Sequence, residues 1–321
     1  MTRDGFDPEE KKPPVLPVWF FPVLVAVLLA GSLVLLFMHY LSPSDSGSAD
    51  PGPSATPSAT PLTGADGSPA FLDVWFVDVG HGNCAILRCS DGKTLLVDAG
   101  NADDADKVLA VIEQAGIERF DLAFATTADR GHIGGLPAVL SRYPADLCLM
   151  TKECMASPEA APLLSALDAQ GIPVSETRAS FTSVLPWSDL AELRIVSPYD
   201  AVYADEHDLS IMLHIAFGST AVLLASDAQK PAERLAVKAL PNSMLKAQVL
   251  LVGNHGDSDA SGAKFLAAVK PKIAVISCGK NNMPAESVIR DLNRIGAEVL
   301  LTEEVGTVHI TLDGVFAAVI K

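Results

Sequence analysis

Apolar and polar positions divide this chain into three regimes. Residues 18–38 form an unbroken apolar run without one charged side chain, long enough to span a hydrocarbon core of about 30 Å. Residues 42–69 are the opposite: Ser, Pro, Ala, Gly and Thr dominate, the repeat PSATPSATP occurs, and no core can be buried. From about Ala70 short apolar runs alternate with polar turns up to the C-terminus.

That last regime reads as mixed strands and helices. FLDVWFVDVG (71–80), CAILRC (84–89) and TLLVDAG (94–100) are β-rich runs separated by Gly, Asn and Asp. DADKVLAVIEQAG (104–116) has helical spacing and stops at Gly116. DLAFATT (121–127) reads as a buried strand and LPAVLSRY (136–143) as a helix. ADLCLM, the helix in PEAAPLLSALDAQG and IPVSE continue the alternation to about residue 176. LAELRIVSP, DLSIMLHIAFG and TAVLLASD are successive strands, the last two a hairpin across Gly218 and Ser219. The helices KPAERLAVKAL, GAKFLAAVK and AESVIRDLNRIG then interleave with the strands AQVLLVG, KIAVISCG and AEVLLTE, before VGTVHITLDG closes the chain. Two sets of strands, each followed by helices, predict two packed sheets with helices outside.

The flanks of the apolar run set a topology. Lys11 and Lys12 precede it, no Lys or Arg follows until Arg88, and Trp19, Phe20, Phe21, His39 and Tyr40 sit at its two ends. The positive-inside rule then predicts a cytoplasmic tail (1–14), a transmembrane anchor (15–41), a linker (42–69) and an extracytoplasmic domain (70–321) in the cell membrane. A cleaved secretory signal would have a shorter apolar core and small residues after it, so an uncleaved anchor fits better.

Charge narrows the partners. The net charge is −16, so a nucleic-acid partner would require a local basic groove that the sequence does not display. A membrane through residues 15–41, an envelope protein or a small ligand are the partners that remain. The five cysteines show no CxxC spacing; a Cys148–Cys154 bridge and burial as free thiols both stay open.

Several segments, in register, resemble the metallo-β-lactamase superfamily and, within it, the hydrolase domain of ComEC/Rec2 competence proteins. They are FVDVGHGNCAIL, GKTLLVDAG, LAFATTADRGHIGGLPAVL, DLSIMLHIAFGSTAVLLASD and VLLVGNHGDSD. The resemblance covers residue 71 to the C-terminus. It implies an α/β (α+β) chain folded as a four-layer αββα sandwich, with metals at one edge between the sheets.

The resemblance also exposes departures. The family's HxDxDH pattern falls on Thr127, Asp129, Gly131 and His132, so one imidazole and one carboxylate are missing. The acid of its TGD segment is retained as Asp227, its HHG pair is Asn254-His255, and the acid of its DVGQGD opening is Asn83. The remaining metal-ligand candidates are Asp129, His132, Asp227 and His255, with Asp129 and Asp227 as the catalytic candidates. Two imidazoles and a carboxylate with an open position form a recognised catalytic zinc arrangement. Whether the HHG pair contributes Asn254 or His255 stays open, as does a contribution from His81 or His207.

Structural roles compete for the same residues. Asp129 suits a helix N-cap, Asp227 could cap the helix near Lys230, and Cys84 beside His81 is a weak nucleophile candidate. The site therefore holds one zinc or manganese ion, or none. The ligand losses favour a ligand- or partner-binding relative over the alternative, a one-metal hydrolase of phosphodiesterase or nuclease type.

Overall fold

The computed structural model describes residues 61–180 and 184–320. The expected anchor at residues 15–41 lies outside them, and among the described residues no helix is long and apolar enough to cross a membrane. The folded unit reaches back past the expected start at Ala70. Thr63 bridges Pro69, and Leu62 packs against the core.

The strands follow the alternation in the sequence. In chain order they are β1 (Leu72–Phe76), β2 (Ala85–Cys89), β3 (Thr94–Val97), β4 (Leu122–Ala125), β5 (Cys148–Met150) and β6 (Val174–Glu176). Next come β7 (Val184–Leu185), β8 (Ala191–Ser197), β9 (Met212–Phe217), β10 (Thr220–Leu224), β11 (Val249–Leu251), β12 (Ile273–Ile276) and β13 (Glu298–Leu301). β14 (Val308–Leu312) and β15 (Ala317–Ile320) close the chain. One sheet has the order β15-β14-β1-β2-β3-β4-β5-β6 and the other β13-β12-β11-β10-β9-β8-β7. β14 and β15 thus return to the first sheet beside β1. The hairpin across Gly218 and Ser219 forms as expected, with Thr220 paired to Phe217.

Both faces of the central strands are apolar, and each face has its own partner. Leu95 and Val97 of β3 point into a core shared with Leu213, Ile215, Val222 and Leu224 of the opposite sheet. Leu96, between them, points the other way, onto Val108, Ile112 and Leu136 of the first helical layer. Leu223 likewise faces Ala232, Ala236 and Phe265 of the second helical layer. Period-2 alternation with both faces buried is what a sheet covered on each side requires. The result is the expected αββα sandwich.

The five cysteines are buried and unbridged. Cys148 and Cys154 are free thiols in the first helical layer's core, so the bridge left open by the sequence is not made. Burial pushes both up to about 12, which keeps them protonated.

Two buried carboxylates secure the helix Lys230–Ala239. Asp208 accepts hydrogen bonds from the Gln229 and Ala232 N–H groups at its start (3.2 and 3.1 Å). Glu233 accepts from the Ser261 and Gly262 N–H groups (2.6 and 2.7 Å), tying the helix to the following loop. Burial pushes Glu233 up to about 7 from 4.5, against the pull of those two donors. Its folded state therefore holds a proton more tightly than the unfolded chain does. The linked stability is complete below pH 4.5 and is lost as pH rises through about 7. Glu233→Gln cannot ionise, so its thermal midpoint should vary less than that of the parent between pH 5 and 8. The removed contribution is on the order of 3 kcal/mol. Calorimetry across that pH range measures it.

Candidate metal centre

The site lies where strands of both sheets end on one edge. β3 and β4 run parallel, as do β10, β11 and β12. Their C-terminal ends carry Asp98, the 126–132 segment, Asp227, the Gly253–Gly256 turn and Ser277 respectively. Side chains that follow parallel strands at such an edge converge without extra loops.

Three of the four ligand candidates meet there. Donor atoms of His132, Asp227 and His255 all lie within 4.8 Å of one another, and all three residues are buried. Nε2 of His132 is 3.0 Å from Asp227 Oδ1, and Nε2 of His255 is 3.3 Å from the same oxygen. The His132 approach is too poorly aligned for a hydrogen bond, so His132 Nε2 and Asp227 Oδ1 are buried without one.

The opposite ring nitrogens explain that orientation. His132 Nδ1 donates to Asp98 Oδ2 (2.8 Å) and His255 Nδ1 donates to the Ser277 carbonyl (3.0 Å). Each proton is thereby placed on Nδ1, and each Nε2 lone pair is aimed at the shared centre. Asp98 is fully occupied, since it also accepts from Thr126 N–H (2.9 Å) and Thr126 Oγ1 (2.5 Å). Thr126 Oγ1 in turn meets Ser226 Oγ at 2.6 Å, which joins the two sheets beneath the site.

The backbone is strained at the same place. Asp98, Ser226, Asn254 and His255 have φ of 60°, 50°, 45° and 51°. Left-handed conformations cost non-glycine residues energy, and their clustering here marks a segment held in shape by its surroundings.

Electrostatics match the geometry. Burial alone would lower the His132 imidazole, but the Asp227 and Asp98 carboxylates outweigh it and hold it well above its usual value. Burial alone would raise Asp227, but His132 and His255 hold it well below the carboxylate range. Two carboxylates flanking one buried imidazole make this a place where positive charge is favoured, and a cation at the shared position would supply it.

The other candidates have different duties. Asp129 is not brought into the group: it is the N-cap of the short helix Arg130–Ile133, and its Oδ1 accepts from Gly131 N–H at 2.6 Å. Asp227 is not the helix cap that competed for it, because Asp208 fills that place. Of the HHG pair, His255 faces the centre, while Asn254 lines an adjoining cavity. His207 is paired with Asp205 through Nδ1 at 2.6 Å. Cys84 is buried and its thiol is held well above its usual value by burial, which removes it as a nucleophile.

Asp98 was not singled out from the sequence. The available signal was an acid placed directly after the four buried residues of β3, in VDAG.

One cavity opens on the site through His255, and a second lies nearby without being lined by any of the three donors. The first, of about 420 Å³, is lined by His81, Asn254, His255, Asp257, Asn281 and Asn282. The other, of about 460 Å³, is lined by Asp129, Glu153, Glu159, Glu206 and His207, with Arg130 as its one Lys or Arg. A basic cleft of about 550 Å³ does exist, formed by Lys230, Arg234, Lys238 and Lys264, but it shares no lining residue with either.

Comparison with known proteins bears on the family and the fold. The chain is 31% identical over 197 residues to ComE operon protein 3 of Bacillus subtilis (strain 168), covering 60% of this chain and 25% of that protein. It is 27% identical over 243 residues to Recombination protein 2 of Haemophilus influenzae, covering 73% of this chain and 28% of that protein. The chain thus spans about a quarter of the length of these curated relatives. Among solved structures, zinc-bound PqqB from Methylobacterium extorquens superposes with a TM-score of 0.51 at 10% identity, covering 75% of this chain and 99% of that one. That likeness speaks for the fold alone. Residues 77–280 match the family described as the metallo-beta-lactamase superfamily, and with the αββα sandwich and its edge site in place, the chain belongs to that superfamily.

Proposed function

We propose that this domain is a hydrolase built around a single divalent cation held by His132, Asp227 and His255. One observation carries the reading. Two buried imidazole nitrogens, each fixed as a lone-pair donor by its second nitrogen, point at one carboxylate oxygen. An inert structural cluster would place protons between such atoms in well-formed hydrogen bonds; the misaligned His132 Nε2 and Asp227 Oδ1 fit a cation instead.

A bound zinc-type ion would supply Lewis acidity and a water acidic enough to act as a nucleophile near neutral pH. The chain's own residues do the rest. Asp98 and the Ser277 carbonyl orient the two imidazoles, and Asp227 supplies the negative charge. Asn254, Asn281 and Asn282 offer hydrogen bonds to a substrate in the smaller cavity. An ester or phosphodiester of modest size suits this lining. A long polyanion does not, because Asp129, Glu159 and Glu206 line the larger cavity with Arg130 as its one basic residue, and Glu153 there is already paired with Arg178.

The sequence alone weighed toward a binding relative that has lost its metals; the convergence of three donors supports the hydrolase instead. The cell surface is the location we assign to it, on the charge and hydropathy pattern of residues 1–41. That agrees with an anchor at residues 15–41, a cytoplasmic N-terminus and an outward-facing domain. Elemental analysis of the purified chain after incubation with zinc or manganese tests the reading. About one ion per chain is expected from a three-ligand site. Content at the level of an unrelated protein would refute it.

A further inference from the structure

We infer that His81 is a fourth protein donor to this centre, reaching it by side-chain rotation from a backbone already fixed beside it. The inference rests on the one-metal reading and adds a ligand to it.

The imidazole of His81 lies against that of His255, with ring centroids 4.2 Å apart and planes tilted by 41°. It lines the same cavity as His255. Among the described residues no hydrogen bond or ion pair engages its ring nitrogens, and the residue is exposed. The three converging donors do not include His81, so its nitrogen must swing inward; an exposed, unpaired side chain can do so at little cost.

The backbone beneath it cannot move as freely. Gly82 packs so closely on Gly131 that a Cβ at position 82 would lie 2.2 Å from the Gly131 carbonyl oxygen. A Cβ at position 131 would in turn lie 3.0 Å from the His81 carbonyl oxygen and 3.0 Å from Asp129 Oδ1. Asn83 N–H donates to the Gly131 carbonyl at 3.0 Å, and Ser277 Oγ donates to the Gly82 carbonyl at 2.5 Å. The loop is thus clamped between the segment that carries His132 and the strand end that orients His255.

This arrangement connects a loss with a gain. The bare Gly82, together with the small residue at Gly131, lets the loop settle this closely, and the loop brings an imidazole. Three protein donors leave a tetrahedral ion one position short, and neutral imidazole is a common donor for it.

The test uses the full chain, stripped of metal and titrated with zinc against a competing chelator, and in parallel loaded with cobalt(II) for visible absorption. His81→Ala and His81→Gln should each weaken zinc affinity by about 10-fold or more. Each should also change the intensity and position of the cobalt bands, with metal-free melting unchanged. Zinc affinity and cobalt spectra identical to the parent's in both variants would overturn the assignment of His81 while leaving the three-ligand centre intact. A parent chain that takes up neither ion would instead refute the centre itself, and this assignment with it.

Discussion

Asp227→Ala should abolish metal binding, taking the ion content of the zinc-treated chain down to background. Asp227 is the one residue close to both other donors, with Oδ1 at 3.0 Å from His132 Nε2 and 3.3 Å from His255 Nε2. Its carboxylate is also the only negative charge within the converging donor set. Without it, two neutral imidazoles remain, and His132 keeps its own partner in Asp98. The loss should be visible in stability as well as composition. A ligand present at about 100 times its dissociation constant stabilises the fold by roughly 2.7 kcal/mol. In a domain of this size that raises the melting temperature by roughly 5–10 °C. The parent chain should show such a zinc-dependent shift in differential scanning calorimetry, and Asp227→Ala should show none. A shift that survives in the variant would place the ion elsewhere.

Local rules explain why the sandwich could be read in advance and why parts of the site could not. Strands such as TLLV and TAVLL are apolar at successive positions because sheets pack on one face and helices on the other. That pattern is written in the residues themselves. Gly116 and the Gly218-Ser219 pair mark their turns equally locally, with φ of 66° and 58° at the glycines. His132, Asp227 and His255 were accessible because each follows a strand within a recognisable segment. Asp129 sits in the same segment as His132, yet its carboxylate is used up locally by the Gly131 N–H. Sequence spacing cannot distinguish a ligand from a cap, because both demand an acid just before a helix.

Residues whose roles depend on distant partners were harder to see. Asp98 matters because residues 126 and 132 arrive beside it, and nothing near position 98 announces them. The docking of Leu62 is a similar case: its N–H donates to the Asp313 carbonyl at 3.1 Å and its side chain packs against the core. The Glu233 clamp on residues 261 and 262 is another. In each case the informative contact is between segments remote in sequence.

Asp98 itself gives the second large expected effect, and two substitutions separate its two tasks. Asp98→Ala removes a buried acceptor from the Thr126 N–H, the Thr126 hydroxyl and the His132 imidazole at once. It also places alanine at φ 60°, a conformation that costs a residue with a Cβ about 1–2 kcal/mol. Breaking a buried charged network by deleting one partner typically costs about 3–5 kcal/mol, so this variant should melt far below the parent and take up little metal. Asp98→Asn keeps the volume, and asparagine tolerates the left-handed backbone. It can still accept from Thr126 through its carbonyl oxygen. The amide nitrogen then faces His132 Nδ1, however, and two N–H donors cannot share one hydrogen bond. The imidazole must shift its proton to Nε2, the nitrogen aimed at the shared centre, and can no longer donate a lone pair there. Asp98→Asn should therefore fold with modest loss of stability and yet bind zinc about 10- to 100-fold more weakly. Zinc titration beside urea denaturation resolves the two. If Asp98→Asn binds zinc as tightly as the parent, the carboxylate serves the fold and not the orientation of His132.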